Sequence, residues 1–186
     1  MENLVENISK SVAIELLFEE MPTRPTANAI FREARKIFGD INIINRDEND
    51  IEFSVDKFVA YNEDNTTSPV VLAMGNITDF DDKVAVSEFE RTQIWNVANS
   101  EELLSKYKYA VKIWDVNAQR QIPKERAIML VDWLNVALKL YPKCQAIWIK
   151  SAGKLQLAQS IKNLKETGIV KYLYSMVNIR FFNVPN

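Results

Sequence analysis

Residues 12–39 read VAIELLFEEMPTRPTANAIFREARKIFG, and the order of elements in this stretch decides the fold. Val12, Ile14, Leu16 and Phe18 alternate with Ala13, Glu15 and Leu17, the period of a strand with one face fully buried. Met21-Pro22-Thr23-Arg24-Pro25 then turns the chain. Ile30, Phe31, Ala34, Ile37 and Phe38 recur at helical spacing and make one apolar stripe, which predicts a helix of about four turns. Pro25 suits its opening turn, and Gly39 stands where a left-handed C-terminal cap belongs.

Further along, Ile41 to Ile44 and Ile51 to Tyr61 read as strands around the polar turn 45–50. Residues 62–68 form a polar loop, and Pro69 to Met74 read as a buried strand. A strand, a helix and then several strands suit an antiparallel sheet with a helix on one face. From Asn76 to Lys106 the pattern is mixed. Thr78 to Lys83 suits a loop or a helix start, and Val84 to Ala98 reads as helical although it carries the β-formers Ile94, Trp95 and Val97. Ser100 fits the N-cap of a short helical turn.

The second half repeats the opening order. Tyr109 to Val116 reads as a strand, Pro123 to Tyr141 as the strongest helix of the chain, stopped by Pro142, and Ala146 to Ile149 as a short buried strand. Leu155 to Glu166 predicts a helix capped by Gly168, with strand-like runs at Val170 to Tyr174 and Met176 to Val184. The expected fold is α+β, with two sheet-and-helix halves packed together and mostly antiparallel strands. One domain would span residues 1–186, with 10–75 and 107–184 as candidate repeat halves linked by 76–106.

Composition excludes several mechanisms. The chain has 186 residues, of which 47% are hydrophobic and 26% charged, the balance of an ordinary globular protein. A chain of this size buries roughly 70% of its unfolded surface, so it needs neither disulfide nor metal to hold a core. Its 23 Lys and Arg against 25 Asp and Glu leave no basic surplus for general nucleic-acid binding. Cys144 is the only cysteine, which rules out an internal disulfide and a Cys-cluster metal site, and it reads as a small buried hydrophobe near a helix end. There is no histidine, which removes Ser-His-Asp and Cys-His nucleophile systems and His-ligated zinc. No apolar run of about 18 residues predicts a membrane span. Met1 to Lys10 carry Glu2 and Glu6 and lack the pattern of a secretion signal, so a cytoplasmic protein is expected.

Five stretches carry a resemblance. These are Leu17-Phe18-Glu19-Glu20, Arg91-Thr92-Gln93-Ile94-Trp95, Lys124-Glu125-Arg126-Ala127 with Leu130-Val131-Asp132, Cys144-Gln145-Ala146-Ile147-Trp148 with Ser151-Ala152-Gly153-Lys154, and 177–183. Together and in order they resemble bacterial domain-of-unknown-function family 4261. The resemblance implies an α+β fold and a cytoplasmic bacterial protein, and it implies no activity. Proteins of that kind look as if they continue into a further acidic, His-containing segment, whereas this sequence stops at Asn186.

Candidate chemistry is sparse. Asp79, Asp81 and Asp82 are the densest carboxylates but lack the glycine and closing glutamate of a calcium loop, so they read as a solvated loop and no metal is expected. Ser151-Ala152-Gly153-Lys154, with Lys150 before it, has a trace of a phosphate loop without its first glycine or its final hydroxyl. Lys143, Lys150, Lys154, Lys162, Lys165 and Lys171 lie among Trp148, Tyr172 and Tyr174, a pattern that could stack bases but more often marks a solvated surface. Of Trp95, Trp114, Trp133 and Trp148, core packing is the ordinary reading, with Trp95 and Trp133 the candidates for a partner contact.

The sequence therefore predicts a non-enzymatic protein-interaction module without cofactor or membrane contact, with an immunity or defence-accessory role as one form. The alternative is a small-ligand binder or enzyme using a cleft between the two halves, for which Gln93, Arg126, Lys150, Ser151 and Lys154 are the candidate residues.

Overall fold

A computed structural model describes residues 11–178 except 48, 63, 95 and 96. Its strands form one seven-stranded sheet in which every pairing is antiparallel, and helices cover it, so the chain is α+β. The strands are β1 (Ala13–Phe18), β2 (Ile41–Arg46), β3 (Asp50–Tyr61), β4 (Thr67–Asp79), β5 (Tyr109–Val116), β6 (Ala146–Ile149) and β7 (Lys154–Leu157). Their order across the sheet is β2-β3-β4-β5-β1-β6-β7. The strands of both halves thus share a single sheet, with β1 hydrogen-bonded between β5 and β6. Leu16 faces Val111 on one side and Ile147 on the other, which gives β1 its continuous apolar run.

Helices α1 (Ala27–Phe38), α5 (Pro123–Leu140), α6 (Ala158–Lys162) and α7 (Gly168–Met176) pack on one face of the sheet. There Ile14, Leu16, Phe53, Leu72, Val111 and Ile147 meet Ile30, Phe31 and the buried residues of α5 in one core. The opening helix begins after Thr26, whose hydroxyl accepts from the Ala29 N–H, and ends at Gly39, where φ is 77°. At 12 residues it is about a turn shorter than expected, because Thr26 caps it one residue past Pro25.

The other face is half covered. Helices α2 (Asp82–Ala85), α3 (Glu88–Gln93) and α4 (Ser100–Leu104) lie over its β1-β6-β7 side, enclosing Leu17, Ala146, Trp148 and Leu155 against Phe80, Val86, Ile94, Leu104 and Tyr107. The expected helix over 84–98 is broken at Val86 and Ser87. Ser87 and Glu90 form a reciprocal capping box, which restarts the helix there. Asn99, in left-handed backbone with φ 57°, precedes α4, and Ser100 is its first helical residue rather than its cap.

The C-terminal part departs most from expectation. Lys154–Leu157 is strand, only Ala158–Lys162 is helical, and Gly168 opens α7 instead of closing the preceding helix. Val170 to Tyr174, read as a strand, is helix: a short run of apolar residues fits either period, and packing against α5 decides. Of the strand expected from Met176 to Val184, Met176 ends α7 and residues 179–186 lie outside the described residues. No helix among the described residues is long and apolar enough to cross a membrane.

Candidate functional site

Two surfaces stand out, one on each face of the sheet. The first is a cleft of about 440 Å³ on the half-covered face, where β4 of the first half pairs with β5 of the second. Glu15, Asp50, Gly75, Asp79, Phe80, Lys112 and Trp114 line it. Glu15 and Lys112 are direct cross-strand partners. A register shift between Met74 and Ile77 opens β4 at this point, and Gly75 lets its neighbours close in. A Cβ on Gly75 would stand 3.4 Å from both Asp50 Oδ1 and the Trp114 ring. The Lys112 ammonium lies 5.5 Å from the centre of the Trp114 ring, a cation–π distance.

Burial pushes the Glu15 carboxyl above its ordinary range, outweighing the pull of Lys112 and Lys150, and Glu90 adds to the rise. Thr78, the hydroxyl residue in the described lining, donates to the Ala110 carbonyl at 3.4 Å. The cleft therefore offers a protonatable carboxyl, a lysine and an indole face.

The second surface is the β2 side of the sheet. β2 is the outermost strand, joined only to β3 among the described residues. A bulge between Ile43 and Asn45 leaves Ile43 and Ile44 both exposed, at 47% and 56%. Between β2 and α1 runs a groove of about 310 Å³ lined by Asn28, Phe31, Arg32, Arg35, Lys36 and Ile43. Its described lining holds three cations and no carboxylate. Next to it, Glu33 forms ion pairs with Lys36 and Lys139 at 2.6 Å each and faces Arg32 at 3.6 Å. These contacts hold its carboxyl down to about 2. The opposite edge is shorter. β7 has four residues, and its Lys154 is bound to α7.

None of the residues expected to bind a ligand lines the cleft. Arg126 lies on the helical face, where its guanidinium donates to both oxygens of the fully buried Asp115 at 2.7 and 3.1 Å. Lys154, 8% exposed, donates to the Tyr174 and Val177 carbonyls at 2.6 and 2.8 Å, closing the C-terminal end of α7. Ser151 is exposed in a tight turn that leads into β7, so the trace of a phosphate loop lacks the helix that would bind the anion. Lys150 stands 3.5 Å from Glu90, and Asn178 bridges the carbonyls of Gln93 and Gly153. Gln93, Lys150 and Lys154 are thus held by other parts of the body, and Ser151 sits exposed in the turn between the last two.

Trp133 is a correction as a partner contact. It is fully buried, donates to the Ala73 carbonyl at 3.2 Å and packs edge-on against Phe53. Trp95 lies outside the described residues. Cys144 is buried, and burial pushes its thiol up to about 12, which makes it a poor nucleophile. Asp81 caps α2 and Asp82 pairs with Arg91 at 2.8 Å, so two of the three clustered aspartates brace the covering segment. Among the described residues no three metal-binding side chains gather.

The residues that sequence reasoning missed are Glu15, Lys112 and Trp114 in the cleft and Arg32, Arg35, Lys36 and Ile43 in the groove. Glu15, as the one charge inside an otherwise apolar strand, was the legible signal. No family model, no curated protein and no solved structure matches this chain.

Proposed function

We propose that the chain is a protein-interaction module that binds its partner through the β2 side of its sheet. The observation that carries this reading is the β2 edge. It presents backbone that is unpaired among the described residues and two exposed isoleucines where natural sheets place short strands, lysines or proline. Adding a strand from another protein would satisfy that edge. Its bulge and Arg46 limit self-association without removing the template. Arg126, Lys154 and Arg91 support the same reading, because they brace the body instead of converging on one point. Kinship with domain-of-unknown-function family 4261 would put the module in a bacterial cytoplasm, where an immunity or defence-accessory role works by such binding.

The test is purification of the tagged chain from cells that express it natively, followed by light scattering on the eluted species. A second protein at fixed stoichiometry is expected. Repeated recovery of the chain alone contradicts the reading.

The protonatable Glu15 in a walled cleft favours a second reading, a small-ligand site at the seam of the two halves. Thermal shift against nucleotides, amines and metal ions separates the two. A ligand at 100 times its dissociation constant adds about 2.7 kcal/mol, and the interaction reading predicts no such shift.

A further inference from the structure

We propose that the β2 edge takes an extended acidic segment of the partner, added as an eighth strand with its carboxylates over the α1 groove; this deepens the interaction reading and rests on it. Charge selects the occupant. Arg32, Arg35 and Lys36 line the groove, with no carboxylate in its described lining. Glu33 beside it takes up Lys36 and Lys139, so Arg32 and Arg35 carry the attraction for a partner. A strand laid along β2 sends alternate side chains to the groove face, so carboxylates at every second position would all meet these cations.

The residues between them would turn to the other face, beside Asn42, whose amide donates to Asp56 at 3.0 Å. Phe31 and Ile43 supply an apolar floor under the stems of the acidic side chains.

The same cations argue against a second copy of this chain. An antiparallel β2-to-β2 junction has two-fold symmetry and sets both α1 helices on one face, side by side across the seam. Arg32, Arg35 and Lys36 of each copy would then confront their equivalents, a like-charge arrangement that disfavours pairing.

The test titrates the full chain with three capped peptides: one alternating Glu and Val, one alternating Lys and Val, and one in which Pro replaces Val. Affinity is read by anisotropy and location by amide hydrogen exchange. The Glu/Val peptide is expected to bind at least about tenfold tighter than either control and to slow exchange within Ile41–Arg46. Arg35→Glu, at an exposed position of α1, should remove most of that preference while the chain stays folded. Equal affinity for the three peptides, no binding, or protection away from β2 overturns the proposal. So does a dimer of the chain alone with β2 already protected. A native partner that co-purifies equally well with the Arg35→Glu variant overturns this assignment but leaves the interaction reading standing, whereas no partner at all sinks the reading itself.

Discussion

Asp115 is fully buried, and Arg126 and the Val12 N–H, which donates at 2.6 Å, share its oxygens. A buried carboxylate that loses its guanidinium keeps its charge cost without compensation. Arg126→Met should therefore lower stability by about 3–5 kcal/mol in urea unfolding, and adding Asp115→Leu should restore part of it. If the single variant is neutral, the pair is not closed as described. Glu15 gives the opposite sign. Burial raises its folded-state pKa, so its contribution is favourable at acid pH and is lost as pH rises through the folded value. Glu15→Gln should raise the melting temperature at pH 7 and change it little near pH 4. A destabilised variant at pH 7 would show that Lys112 and Lys150 outweigh burial.

Lys154 joins two elements by closing the last turn of α7 from β7. Lys154→Met keeps the buried stem and leaves both carbonyls without their donor, which should cost about 1–3 kcal/mol and speed amide exchange in α7 first. Uniformly faster exchange along the chain would contradict that local role. Glu33 ties α1 to α5, since Lys36 lies on α1 and Lys139 on α5. Its carboxyl is held down to about 2 from an ordinary 4.5 by those two lysines. The sign follows: the tie contributes above about pH 4.5 and is lost as pH falls toward 2. Acid titration should show a stability loss in that window that Glu33→Gln largely removes; an unchanged acid limb would remove the tie from the account.

Elements with one clear period were legible in the sequence. The strand at β1, the capped helix α1 and the long helix α5 follow from spacing alone, and so does the α+β class. The segments that misled are those whose surroundings override their pattern. Val170 to Tyr174 is rich in strand formers but is helix against α5. Trp133 lies off the narrow stripe of α5 and is nonetheless core, because α1, α7 and the sheet together bury that helix nearly all round. Two of the candidate ligand residues, Arg126 and Lys154, are held by partners 11 and 20 or more positions away, which no local motif records.

The molecule as a whole places its two open surfaces on opposite sides of one sheet. The cleft has an internal lysine over its tryptophan, and the β2 side has cations, exposed isoleucines and an edge unpaired among the described residues. One edge, β7, is short and bound to a helix, so strand addition is directed to the other. The sequence could not reveal this asymmetry, because which strand is outermost depends on pairings such as β1 with β5 that join residues about a hundred positions apart.

The most direct measurement is amide hydrogen exchange on the chain bound to its native partner, compared with the chain alone. The account predicts slowed exchange across Ile41–Arg46 with the residues around Lys112 and Trp114 unchanged. Protection centred on the cleft, with β2 exchanging as freely as before, would contradict it.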